Sequence, residues 1–280
     1  MAIFIQKLLA TKIPISLLLT ITIFSLFLFN KVKSDISFNF PAFGPEVVNV
    51  IGLSNEATVS NGAIQLTKKD QSGNPFQHSV GQAEWIKPIR IHDKSSGKVA
   101  DFATEFSFVV NKNGKKDYGD GFAFFFVSQN FNFPDSKQSE GGFLGMFTPD
   151  TAFSSNNQQI LLVEFDSFSN EWDPDPVTQF PHLGVNVNSI KSLVTVPWLR
   201  NFKPDDTVTN ARIEYSSEAQ KLTVTVTYPS SVPLTADTLF THDVDLTAVL
   251  PEEVQIGFSA ATGDLVETHD ILSWSFTSNL

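Results

Sequence analysis

In Leu222-Thr-Val224-Thr-Val226-Thr-Tyr228 every second side chain is apolar, and the same period of two runs through Phe102–Val110 and Leu183–Val187. No segment after residue 34 sustains an apolar period of 3.6 for three turns, so the chain must fold from strands. A period of two places one face on a core and the other in water. By contrast, Phe122–Val127 and Ile160–Val163 are continuously apolar, which predicts strands covered on both faces. Turn signals recur at Ser72–Pro75, Ser95–Gly97, Asn113-Gly114 and Pro229–Ser231, at spacings suited to about a dozen short strands. The expected fold class is all-β: two large antiparallel sheets in a jelly roll or related sandwich. No linker or repeat marks a second domain, and the lysines between Lys112 and Lys116 flank an Asn-Gly turn that reads as a solvated hairpin tip.

The first 34 residues are different. They carry Lys7, Lys12, Lys31 and Lys33 but no acid, and Ile13–Phe29 has no charge, the pattern of a secretory signal peptide with cleavage expected after Ser34. A single domain over 35–280 follows, secreted or sent to a storage vacuole. Removing those four lysines from the 19 basic residues leaves 15 against 30 acidic ones, a net charge of −15. Nucleic acid and anionic membrane are therefore not expected as partners. There is no cysteine, so a secreted chain of this kind relies on its core or on metal instead of disulfides. With 27 Phe against 3 Tyr and 4 Trp, its aromatic mass is built for interior packing. No Asn-x-Ser/Thr sequon occurs.

One stretch reads as chemistry. Glu164, Asp166, Asn170, Asp173 and His182 bring five potential metal ligands into a short span. Gln159–Phe168 is expected to be a strand, which puts Glu164 and Asp166 on one face, where two carboxylates repel unless a cation lies between them. The Ser, Asn and Asp-Pro that follow are turn formers able to bring a carbonyl and an amide oxygen back to that cation. Such hard oxygens suit Ca²⁺, whereas the His182 imidazole suits Mn²⁺ or Zn²⁺. Two ions sharing Asp166 and Asp173 fit this donor set better than one.

Several motifs, in order, resemble the legume lectins over essentially the whole of residues 35–280. They are Ser37-Phe-Asn-Phe40, Asp120-Gly-Phe-Ala-Phe-Phe125, Gly141-Gly-Phe-Leu-Gly145, Val163-Glu-Phe-Asp-Ser167, His182–Ile190, Gln255–Gly263 and Glu267–Phe276. The resemblance implies a concanavalin-like jelly roll that binds glycans without catalysis. It further implies Mn²⁺ on Glu164, Asp166, Asp173 and His182, with Ca²⁺ on Asp166, the Phe168 carbonyl, Asn170 and Asp173. The sugar site it implies is Asp120, Gly142 and Asn170, with Phe168 as the apolar wall and backbone N–H groups near Asp264 and Leu265. It also implies a cis bond before Asp120, here after Gly119. The large-sheet edges of such a sandwich commonly pair, so a homodimer or larger homo-oligomer is expected. The Asp173–His182 spacing is longer than usual in the family, with Thr178–Pro181 as the insertion. The loop Gly263–His269 is short, like those of the pea and lentil lectins, which points to mannose or glucose.

Two other readings compete with this one. Glycoside hydrolases on similar sandwiches use E-x-D-x-E or E-x-D-x-x-E, but the third acid would fall on Phe168 or Ser169, neither of which can donate a proton. A storage or defence relative without sugar binding would be expected to lack the metal or sugar residues that this chain keeps. His78, His92, His242 and His269 read as ordinary strand or loop histidines, Trp172 as a brace for the ligand loop and Trp274 as core.

Overall fold

The computed structural model describes residues 36–153, 158–174, 181–199, 203–228 and 238–280. The expected signal peptide, most of the Thr178–Pro181 insertion and the Pro229–Ser231 turn lie outside them. Among the described residues, eighteen strands form two eight-stranded antiparallel sheets and a two-stranded ribbon. The first sheet runs β13 (Val194–Pro197), β12 (His182–Val187), β11 (Leu161–Asp166), β10 (Gly121–Ser128), β17 (Glu253–Ala261), β5 (Val80–Trp85) and β2 (Ile51–Asn55), with β6 (Ile89–Arg90) also on β17. The second runs β16 (Thr238–Asp243), β15 (Lys221–Thr227), β14 (Thr209–Ser216), β9 (Asp101–Asn111), β18 (Thr268–Asn279), β4 (Ala63–Gln65) and β3 (Thr58–Ser60), with β1 (Ile36–Phe40) on β18. β7 (His92–Asp93) and β8 (Lys98–Val99) form the ribbon.

Periodicity explains which sheet is covered twice. In β9 and β15 the apolar positions Phe102, Phe106, Phe108, Leu222, Val224 and Val226 are buried, while their neighbours in sequence are more exposed. Those strands have one wet face, as the alternation predicts. β10 is buried on both sides: Phe122, Phe124 and Phe126 enter the core between the sheets, while Ala123, Phe125 and Val127 enter a second core with Leu144, Phe147, Ile160 and Leu162. The segment that covers this outer face also carries Gly141 and Gly142, so burial of the outer face brings the glycine loop to the end of β10. Between the sheets, Phe258 meets Phe106 at 4.9 Å and 76° and Trp274 at 4.9 Å and 72°, the edge-to-face geometry that ring quadrupoles favour. Trp274 donates its indole N–H to the Thr104 hydroxyl at 2.9 Å, so the core carries no unmatched donor there.

The structure corrects two expectations. The metal strand spans Leu161–Asp166 and not Gln159–Phe168. Gln159 has a positive φ of 58°, and beyond Asp166 the carboxylate Oδ1 accepts the Phe168 N–H at 2.8 Å, a side-chain turn that ends the ladder. β12 is the second case: its expected wet face is buried from His182 to Asn186 because polar side chains there close on the β11 carboxylates. Trp85 and Trp198, which sequence alone leaves unplaced, both pack internally. Trp85 stacks on Phe38 at 4.3 Å, and Trp198 meets the edge of Phe165 at 5.8 Å.

Candidate functional site

Antiparallel register builds the acidic cluster. β11 pairs with β12 so that Glu164 lies opposite Gly184 and Asp166 opposite His182. Ligand atoms of Glu164, Asp166 and His182 all lie within 4.8 Å of one another, and all three residues are buried. Glu164 Oε1 is 3.0 Å from His182 Nε2 and also takes the Ser192 hydroxyl, while Oε2 accepts from Asn186 Nδ2 at 2.9 Å. Gly184 is needed because a Cβ there would collide with both the Glu164 carboxylate and the Ser192 hydroxyl. Gly184→Ala is accordingly expected to displace Glu164 and to cost about 1–3 kcal/mol, read as a lowered denaturation midpoint in metal-saturated buffer.

The turn after β11 supplies the remaining groups. Asp173 Oδ2 accepts the Asn170 N–H at 2.6 Å, and the Asp173 N–H returns to the Asn170 carbonyl at 3.2 Å. Burial, then the charges of Glu164 and Asp173, push the Asp166 carboxyl well above the usual range. Burial likewise raises Asp173 to about 6. For His182, burial opposes the imidazolium, but the hydrogen bond and charge of Glu164 and the charge of Asp173 outweigh it, so its pKa rises. Asn170 Oδ1 and His182 Nδ1 are buried without a hydrogen-bond partner. Crowded carboxylates held against their ionisation, beside an orphan amide oxygen and a histidine, form a donor set that a divalent cation satisfies. The predicted metal ligands therefore lie along one strand pair and its exit turn; Glu164, Asp166 and His182 gather into one cluster, while Asp173 and Asn170 stand on the turn beside it.

A depression of about 400 Å³ opens beside this cluster, lined by Asp120, Gly142, Phe168, Asp264 and Leu265 together with His78, Glu140, Gly141, Phe143 and Gly263. Five of the six expected sugar residues line it. The sixth, Asn170, lies immediately behind Gly142, where a Cβ would come within 2.5 Å of Asn170 Oδ1. The Gly119–Asp120 bond is cis. Asp120 is tied on both sides, its N–H to the Ala261 carbonyl at 3.2 Å and its own carbonyl to the Ser167 N–H at 2.8 Å. Its Oδ2 is buried without a partner. Burial first, and the Glu267 charge second, raise the Asp120 carboxyl to about 7.

Sequence reasoning missed His78 and His269. His78 lines the pocket with Nδ1 3.2 Å from Glu140 and Nε2 3.7 Å from Asp264. His269 is fully buried between the Thr67 hydroxyl at 2.9 Å and Glu267 at 3.1 Å. The Glu267–His269 pair shows in sequence only as an acid two positions before a histidine, Glu267 lying just ahead of β18. The His78 contacts join segments 62 and 186 positions apart, and no local pattern carries them. Trp172 stacks on Phe143 at 5.6 Å and 16°, the bracing role expected of it.

The Legume lectin domain profile matches residues 35–280. Lectin 11 of Medicago truncatula is 55% identical over 279 residues, covering 99% of this chain and 94% of that protein. The metal-free form of lectin I-B4 from Griffonia simplicifolia superposes with a TM-score of 0.78 at 38% identity, covering 88% of this chain and all of that one. Lectin UEA-II complexed with galactose gives a TM-score of 0.76 at 41% identity, over 88% of this chain and 99% of that one. Matched in sequence over residues 35–280 and folded as these solved proteins are, the chain belongs to the legume lectins, non-catalytic proteins that bind carbohydrate.

Proposed function

We propose that the protein is a Ca²⁺- and Mn²⁺-dependent lectin whose sugar site is the Asp120–Gly142–Phe168–Asn170 pocket. The observation that supports this reading is that Asp120, whose Oδ2 is buried without a hydrogen-bond partner, lines the same depression as Gly142, Phe168, Asp264 and Leu265. A carboxylate there accepts from two neighbouring hydroxyls, the Asn170 amide donates to one of them, and the Gly142 N–H needs no side chain in its way. Phe168, 38% exposed, offers its ring to the C–H face of a pyranose. Glu164, Asp166, Asp173 and His182 would hold Mn²⁺; Asp166, the Phe168 carbonyl, Asn170 and Asp173 would hold Ca²⁺. Bound there, the cations supply positive charge that keeps these carboxylates ionised. The residues themselves fix the turn that presents Phe168 and Asn170.

Mannose or glucose is the favoured sugar, on the short loop Gly263–His269. Galactose is the second reading, favoured by the likeness to lectin UEA-II, whose structure holds that sugar. Calorimetric titration of the 35–280 protein with methyl-α-mannoside and with galactose separates them, since heat with one alone assigns the class. Absence of heat with any simple or complex glycan would end the reading as a working lectin. Gly142→Ala is expected to weaken binding about tenfold or more, because the new methyl displaces the Asn170 amide. Normal affinity in that variant would take Asn170 out of the site.

A homodimer is part of the proposal. Among the described residues β1 pairs with β18 alone, and a free sheet edge is where two copies can join. Paired sites would compensate for weak binding in a shallow pocket. Sedimentation at monomer mass at micromolar concentration would remove this element. Residues 1–34 are proposed to direct the chain into the secretory pathway, for export or vacuolar storage.

A further inference from the structure

The edge of the sugar pocket formed by Asp264 and Leu265 is gripped from the segment between β4 and β5. We propose that Gln77 and His78, in that segment, are positioning residues: they hold this edge where it meets the sugar, and binding depends on that hold. The proposal rests on the sugar-pocket reading above.

The backbone grip comes first. Thr262, just after β17, donates its N–H to the Ser79 carbonyl at 2.8 Å and its hydroxyl to the Phe76 carbonyl at 2.8 Å, and the same hydroxyl accepts the Ser79 N–H at 3.0 Å. Ser79 and Thr262 are fully buried, so these bonds belong to the fold. The grip then runs outward along the loop. The His78 N–H donates to the Gly263 carbonyl at 3.2 Å, and Gln77 Nε2 donates to the Asp264 carbonyl at 2.6 Å. Gly263 and Val266 are buried, whereas Asp264 is exposed and Leu265 half-buried. Burial therefore fixes the ends of this bend but not its tip, and the Gln77 amide is what reaches the tip.

The His78 side chain closes the grip from the other side. Its φ of 55° lies in the left-handed region that a residue with a Cβ enters at a cost. That backbone sets the imidazole between two carboxylates, with Nδ1 3.2 Å from Glu140 and Nε2 3.7 Å from Asp264. Glu140 leads into the glycine loop, whose Gly141 N–H donates to the Thr262 carbonyl at 3.1 Å. A Cβ on Gly263 would lie 3.2 Å from Gly141 Cα, so the two loops meet backbone to backbone and one ring ties their outer ends. The His78 and Asp264 side chains are 49% and 95% exposed, so these contacts add little to global stability. Their effect is on binding: an edge already in place spares the sugar the cost of ordering it.

The test uses the metal-loaded 35–280 protein, titrated with methyl-α-mannoside and with galactose. Gln77→Ala removes the donor to the Asp264 carbonyl, whereas Gln77→Lys keeps a donor there. His78→Asn keeps a residue that tolerates the left-handed backbone and withdraws the imidazole from Glu140 and Asp264. Gln77→Ala and His78→Asn are each expected to bind the sugar that the wild type binds about five- to tenfold more weakly, and Gln77→Lys to recover most of the loss. Both weakened variants should melt within roughly 3 °C of wild type while amide exchange quickens at residues 264–266, and saturating sugar should restore the protection. Wild-type affinity in either variant, a loss in Gln77→Ala that Gln77→Lys does not recover, or weaker binding accompanied by faster exchange throughout the sandwich overturns the positioning role and leaves the pocket standing. Failure of the wild type to bind methyl-α-mannoside, galactose or any complex glycan overturns the pocket reading, and the positioning role with it.

Discussion

Stripping divalent cations with EDTA is expected to weaken sugar binding at least about a hundredfold and to lower the melting temperature by roughly ten degrees. The first effect follows from how the pocket wall is held. Phe168 and Asn170 sit on the turn after β11, and its two side-chain tethers are the Asp166 carboxylate on the Phe168 N–H and the Asp173 carboxylate on the Asn170 N–H. These are the same carboxylates that the cations would keep ionised. Without cations, burial pushes Asp166 well up and Asp173 to about 6, so near neutrality the tethers weaken by protonation or repel one another. The thermal effect is mass action. Ligand at a thousandfold excess over its Kd stabilises by about 4 kcal/mol, and a chain of this size shifts by roughly 2–4 °C per kcal/mol.

The pH dependence has opposite signs in the two states. In the metal-free protein Asp166 and Asp173 have raised folded-state pKa values, so their contribution to stability is fully present below the ordinary value of 3.8 and is lost as pH rises through the folded-state values, about 6 for Asp173. In the loaded protein protons compete with the cations, so acidification releases metal and sugar together. Melting curves between pH 4 and 8, with and without EDTA, should therefore converge toward the acid end. Unchanged sugar affinity in excess chelator, or parallel curves, would refute the metal-dependent design.

Much of this was legible before folding, and the reason is local. A strand period of two places Glu164 and Asp166 on one face, and turn chemistry after Asp166 predicts that Asn170 and Asp173 curl back. The double burial of β10 could be read from its unbroken apolar run. What escaped was non-local. The covered outer face of β12 depends on Ser192 and Asn186 reaching Glu164, and the role of His78 depends on Glu140 and Asp264 arriving from two other loops. Strand ends also escaped where one residue decided them: Gln159 adopts a positive φ, which composition does not announce.

Asp120→Asn is expected to abolish sugar binding, by about a hundredfold or more, while making the metal-free protein more stable at pH 8. The loss follows from chemistry: an amide replaces one acceptor oxygen by a donor and removes the charge that strengthens bonds from two sugar hydroxyls. The gain follows from electrostatics. Burial and the Glu267 charge raise the Asp120 carboxyl from 3.8 to about 7. Folding therefore favours its protonated form, so this contribution to stability is fully present below pH 3.8 and lost as pH rises through about 7. The shift corresponds to a cost of at most about 4 kcal/mol for holding the anion in the folded protein at pH 8. The near-isosteric amide avoids that cost. Denaturation of both proteins in EDTA should show the variant ahead at pH 8 and the difference shrinking toward pH 4, with calorimetry on the metal-loaded forms reading the lost affinity. Normal sugar binding would remove Asp120 from the site. A variant that binds no sugar and is also destabilised at pH 8 would make Asp120 a structural residue, whereas lost affinity with gained stability identifies a carboxylate kept for its ligand at the expense of the fold.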